Sequence, residues 1–188
     1  MAERQLNDVN VAKIKEFDAM MRANPALAKT TVKLKSSWHR GTKALVEVGT
    51  IQALGQDLFP RTRRFWITTD DPDVLGGVDS APTPAETLVA ALAGCVTSGI
   101  AGNAALFDVP IDAIDIETEA DMDFRGLLGH DKSVRNGFSD IRYTVTIKSA
   151  APEDRVRRCK ETIDRKSPVR DTLANPVRIM SDFVYKPR

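Results

Sequence analysis

The chain is short of the residues that build metal and thiol sites: its 188 residues include only 2 cysteines and 2 histidines. His39 and His130 belong to no ligand-spaced cluster, which argues against a histidine-built metal centre. Cys95 and Cys159 are too few for the disulfide framework of a small secreted domain, so each thiol is judged alone. An excess of one charge is missing too. The 27 Lys and Arg residues nearly balance the 26 Asp and Glu residues, so nothing favours nucleic acid or an anionic membrane as partner. Gly76-Gly77 lacks the lysine and spacing of a phosphate-binding loop, and no cofactor is implied. The opening MAERQLNDVNVAKIKEF mixes both charge signs and holds no uninterrupted apolar segment, so the expectation is a cytoplasmic protein without a secretory signal. A small molecule or another protein remains as the partner class.

Long apolar runs are absent but for one stretch. After Glu86 no charge occurs until Asp108. That is the length of a membrane span, which needs about 20 apolar residues. The run is mostly Ala, Gly, Thr and Ser, however, and suits close contact with protein backbone better than contact with lipid. A buried helix is expected. Thr83 can cap it, Pro84 suits its first position, and Glu86 completes a capping box. Ala90, Gly94, Ser98 and Gly102 recur every fourth residue and line up as a nearly side-chain-free stripe. Such a stripe admits either a second helix of the fold or the same helix of a twin subunit. Glu86 precedes Cys95 by nine positions, which places the two on opposite sides and roughly 13 Å apart along the axis of a straight helix.

Around this helix the pattern is mixed. Residues 8–24 place Val11, Ile14, Phe17 and Met21 on one side at helical spacing, with Asp8 as cap and Asn24-Pro25 as stop. TTVKLKSSW and KALVEVG alternate as two strands joined through His39-Arg40-Gly41-Thr42, and RRFWITTD reads as a third. IDAIDIETEADMDF and DIRYTVTIKS alternate as two long half-exposed strands. Helices open at Pro152-Glu153, carrying Val156, Cys159 and Ile163 on one face, and at Ser167-Pro168. NPVRIMSDFVY closes the chain as an expected strand. This order predicts an α+β fold with too few strand–helix alternations for a doubly wound sheet.

GGVDSAPTPAETLVAALAGC resembles the glycine-rich loop and central helix of the OsmC-like proteins, the osmotically inducible and organic-hydroperoxide-resistance family. SPVRDTLANPV, residues 167–177, resembles the later Cys-Pro-Val segment of that family. The resemblance spans residues 31–188 and leaves residues 1–30 as an N-terminal helical extension. It implies an intertwined homodimer, with a long buried central helix packed on antiparallel-rich sheets and an active site at the subunit interface. It also implies thiol-dependent reduction of organic hydroperoxides. Cys95 occupies the position of the cysteine that attacks the peroxide, but Ser167 stands where the resolving cysteine would be. Serine can hydrogen-bond sulfur yet cannot form the disulfide, so regeneration would fall to an external thiol. Cys159 reads as a buried structural cysteine.

The resemblance further implies a catalytic glutamate immediately after the helix-opening proline, where this chain has Ala85, with Glu86 one place later. It implies a partner arginine from the first hairpin, for which Arg40 is the match, with RTRR at 61–64 offering others. His39, beside Arg40, is a candidate for the edge of the site. The competing expectation is a non-catalytic dimer of the same fold that binds a small apolar ligand.

Overall fold

The computed structural model describes residues 5–60 and 62–188. The first four residues of the chain and Arg61, the first arginine of RTRR, lie outside the described residues. Alternation of apolar and polar residues gives the expected hairpin, Thr30–Arg40 (β1) against Lys43–Ala53 (β2), antiparallel. The turn is tighter than the four residues expected. His39 and Arg40 stay in β1 and only Gly41-Thr42 turns, with Gly41 at φ 55°. Two-residue hairpin loops demand positive φ, which glycine adopts without steric cost. The indole N–H of Trp38 donates to the Gly41 carbonyl at 2.9 Å and braces the turn. Gln56–Asp57 (β3) and Phe65–Thr69 (β4) both pair with the other edge of β2.

Val11–Ala23 (α1) is helical as its periodicity predicts, but its cap is Asn10, whose Oδ1 accepts the Lys13 N–H at 3.0 Å. Asp8 cannot serve because it and Asn7 both have left-handed backbones, φ 55° and 54°, and the helix starts only beyond them.

The capping box expected at Thr83 and Glu86 is present and opens Pro84–Leu106 (α2). By length and composition this helix would pass for a membrane span. Its Leu92, Val96, Ile100 and Ala104 instead form the protein core. Against them lie Ile114 and Ile116 of Ala113–Asp121 (β5) and Ile141, Tyr143, Val145 and Ile147 of Asp140–Lys148 (β6), an antiparallel pair with apolar residues alternating inward. The connection between β5 and β6 holds the one-turn helix Phe124–Leu127 (α3). Glu153–Lys166 (α4) adds Cys159 and Ile163 to the core, and Pro168–Ala174 (α5) follows.

The approach of α4 to α2 is set by Gly99. A Cβ there would lie 2.1 Å from Cδ1 and 2.3 Å from Cγ1 of Ile163, itself 7% exposed. Gly99→Val is therefore expected to push the two helices apart and destabilise the protein by about 1–3 kcal/mol. Urea unfolding followed by circular dichroism measures this as a lower midpoint.

Two further expectations are corrected. The stripe of Ala90, Gly94, Ser98 and Gly102 is not where the second helix packs. Ala90, Gly94 and Ser98 are exposed, and a Cβ on Gly94 or Gly102 would meet nothing within 4 Å. Within one chain α4 sits over Gly99 instead, and the stripe from Ala90 to Ser98 stays uncovered. The closing segment is not a strand either. Residues 175–188 run without regular structure, since no strand of the same chain pairs with them among the described residues. Their apolar side chains are bare: Ile179 is 86% exposed and Phe183 87%.

Candidate functional site

Cys95 sits at the margin of the covered side of α2: Gly94 before it is exposed, Val96 after it is buried, and Cys95 itself is half-buried. Its Sγ lies 3.1 Å from Oγ of Ser167, 72 residues away in sequence. Ser167 is 1% exposed and forms the joint between α4 and α5. Its backbone N–H donates to the Ile163 carbonyl at 2.8 Å, closing α4. Its Oγ accepts the Arg170 N–H at 3.1 Å, capping α5. A hydroxyl has one proton and two lone pairs. Arg170 takes one lone pair, which leaves the proton and the other lone pair for the sulfur, so either atom can donate in this contact. The inner side of Cys95 is therefore occupied by a hydrogen-bonding hydroxyl, while its outer side borders the bare stripe of α2.

The joint that carries Ser167 is held by Asp164. Its carboxylate accepts from Lys160 Nζ at 2.6 Å and from the Tyr143 hydroxyl at 2.7 Å, and its carbonyl accepts from Arg170 Nη1 at 2.9 Å. Burial works against the charged carboxylate, but the bonds from Lys160 and Tyr143 outweigh it and hold the Asp164 pKa below its ordinary value. Burial, with the Asp164 contact second, raises the pKa of Tyr143.

Cys159 is fully buried and directs its thiol to the Arg155 carbonyl at 3.3 Å. Burial pushes its pKa up, which disfavours the reactive thiolate.

Among the described residues of one chain, no hydrogen bond or ion pair joins Arg40, His39 or Glu86 to Cys95. Arg40 and His39 are exposed at the end of β1. Glu86 is engaged in its cap, where Oε2 accepts the Thr83 N–H at 2.7 Å and the Thr83 hydroxyl at 2.9 Å. The backbone bond from Thr83, then its hydroxyl, lowers the Glu86 pKa. Because α2 runs unbroken, its own Glu86 stays a long way along the helix from Cys95.

One residue that sequence reasoning missed fixes the hairpin turn near the start of α2. Asp70 is 1% exposed, and its carboxylate accepts from the Ser80 hydroxyl (2.7 Å), the Thr42 hydroxyl (2.8 Å), and the amides of Asp71 (3.0 Å) and Ser80 (3.1 Å). The Ser80 hydroxyl first, then that of Thr42, hold its pKa far below the ordinary carboxylate range. Thr42 belongs to the turn next to Arg40, and Ser80 to the glycine-rich loop that leads into α2. Two of the three partner residues are 28 and 10 positions away in sequence, so no local pattern announced them.

Residues 77–181 match the family model of the OsmC-like proteins, more than half of the chain. The chain belongs to the OsmC-like family. Its fold is similar to that of an OsmC-like protein from Mycoplasma pneumoniae, with TM-score 0.59 and 14% sequence identity, covering 78% of this chain and 89% of that one. It is also similar to an organic hydroperoxide resistance protein OsmC from Legionella pneumophila, with TM-score 0.50 and 16% identity, covering 76% of this chain and 88% of that one. At these identities the likeness is one of fold. No curated protein matches the sequence. The OsmC-like α+β architecture with antiparallel sheets is the one expected above.

Proposed function

We propose that this OsmC-like protein serves in oxidative stress defence by reducing organic hydroperoxides at Cys95, with an external thiol restoring the sulfur. The observation that carries the reading is the 3.1 Å contact between Cys95 Sγ and the buried hydroxyl of Ser167. It supports equating Ser167 with the position at which two-cysteine relatives place their resolving thiol. The Cys95 thiolate attacks the terminal oxygen of the hydroperoxide, and the O–O bond breaks. The leaving alkoxide takes up a proton as an alcohol, and the sulfur is left as sulfenic acid. A first external thiol displaces water to form a mixed disulfide. A second releases the external disulfide and returns Cys95.

Arg40, supplied with His39 by the hairpin of a second copy, would stabilise the thiolate and the departing oxyanion. Glu86 would orient that arginine. The bare stripe on α2 and the unpaired apolar tail support a homodimer, because exposed apolar surface on this scale marks a contact site. On this reading residues 31–188 are the OsmC-like domain, residues 1–30 an N-terminal extension, and the dimer cytoplasmic.

The test is cumene hydroperoxide with a sulfenic-acid trap, comparing wild type, Cys95→Ser and Arg40→Ala. Labelling is expected at Cys95 alone, absent in Cys95→Ser, and slowed about a hundredfold in Arg40→Ala. Absence of any label at millimolar peroxide would replace this reading with the non-catalytic dimer that holds a small apolar ligand.

A further inference from the structure

The 3.1 Å contact between Cys95 Sγ and Ser167 Oγ has no fixed direction while the sulfur is a thiol. Ionisation fixes it. A thiolate has lost its proton and can only accept, so the hydroxyl must donate. Ser167 is 1% exposed, and its Oγ already accepts the Arg170 N–H at 3.1 Å. Among the described residues the sulfur is the one group that this hydroxyl can donate to within hydrogen-bond distance. A donor to the charged form favours that form, and a bond to an ionised partner is about twice as strong as one between neutral groups.

The hydroxyl is placed by a chain of bonds that begins on another element. Tyr143 of β6 packs against the core and donates its hydroxyl to Asp164 Oδ1 at 2.7 Å. Asp164 lies in the last turn of α4, three positions before Ser167. Lys160 Nζ holds the other carboxylate oxygen at 2.6 Å and lies 5.7 Å from the centre of the Tyr143 ring. Arg170 closes the far side: its Nη1 donates to the Asp164 carbonyl at 2.9 Å, while its N–H donates to Ser167 Oγ. Through Tyr143 and Asp164, β6 thus holds the end of α4. The distance from Ser167 to the sulfur on α2 does not rest on helix packing alone.

We propose that Ser167 is the hydrogen-bond donor that stabilises Cys95 as a thiolate, with Tyr143 and Asp164 as its positioning residues. The proposal rests on the reading of Cys95 as the reacting sulfur, and gives Ser167 a task of its own in a chain without a cysteine at that position. All four residues belong to one chain, so the donor needs no second copy.

The test is the rate at which excess iodoacetamide alkylates Cys95 of the whole protein at neutral pH, with Cys159 as an internal control of packing. Ser167→Ala is expected to slow Cys95 about three- to tenfold. Loss of a bond to the charged sulfur lowers the thiolate population, and the greater reactivity of the remaining thiolate offsets part of that loss. Tyr143→Phe keeps the ring and removes only the hydroxyl. It is expected to slow Cys95 about two- to threefold, and to have no further effect in the Ser167→Ala background. Cys159 should stay unlabelled throughout. A merely structural role gives the opposite sign, because a loosened joint exposes both thiols and speeds their labelling. The proposal is overturned by a wild-type Cys95 that does not react, by an unchanged or faster Cys95 in Ser167→Ala or Tyr143→Phe, or by a Tyr143→Phe effect that persists without the Ser167 hydroxyl. No peroxide enters this measurement. Absence of sulfenic acid with these rate changes intact would remove the peroxidase reading and leave the donor in place; sulfenic acid with unchanged rates would do the reverse.

Discussion

If the proposed one-thiol peroxide chemistry holds, Ser167→Cys is expected to convert the protein to a two-thiol reductant. One equivalent of hydroperoxide should produce an internal disulfide between Cys95 and the introduced thiol, visible as the loss of two hydrogens in the intact mass and reversible by a dithiol. In the wild type the sulfur and the hydroxyl oxygen already lie 3.1 Å apart. A disulfide needs about 2.05 Å, so closure requires a shift of roughly 1 Å at the joint between α4 and α5. Ser167 is the residue between two helices and belongs to neither interior, so the adjustment falls on the joint. The variant should then trap no sulfenic acid where the wild type does, because an internal thiol intercepts the intermediate. Persistent sulfenic acid in Ser167→Cys, with no disulfide, would mean that the two positions do not face each other in solution. The substitution also replaces the α5 cap, which costs about 0.5–2 kcal/mol, so a modest drop in thermal midpoint is expected alongside.

Iodoacetamide at neutral pH is expected to alkylate Cys95 of the native protein and to leave Cys159 untouched, with rates about a thousandfold or more apart. Cys159 has no exposed surface, and burial raises its pKa. Its thiol meets reagent only when α4 leaves the core, an opening that approaches global unfolding and so is populated about one part in a thousand or less. Mass spectrometry should find one adduct in buffer and two in denaturant. Rapid native labelling of Cys159 would show that the packing of α4 on α2 is loose and would return that cysteine to consideration as a resolving thiol.

The parts of the fold legible in the sequence were those written locally. Thr83, Pro84 and Glu86 announce the start of α2 within four residues, and alternation in AIDIETEAD and RYTVTIK announces β5 and β6, because each pattern reports on one element and one face. Features written between distant residues were not legible. Gly99 looked no different from Gly94 or Gly102, and only the position of Ile163 makes it the contact point. Asp70 looked like one more loop acid, though its donors come from Thr42 and Ser80. Asn7 hydrogen-bonds the backbone of Val109 and Ile111, about a hundred residues away. The tail misled for the opposite reason: its apolar residues have the composition of a strand, but a strand exists only where another pairs with it, and among the described residues of one chain none does. At the site, the pairing of Cys95 with Ser167 followed from the family resemblance, while the burial of Ser167 and its link to Arg170 needed coordinates.

Ser167 Oγ serves the sulfur and the first turn of α5 at once. Any change in what the sulfur asks of that oxygen is therefore felt by the Arg170 amide. Oxidation of Cys95 need not be followed at the sulfur itself, since that one nitrogen works as a gauge built into the backbone, readable from a single resonance without any label.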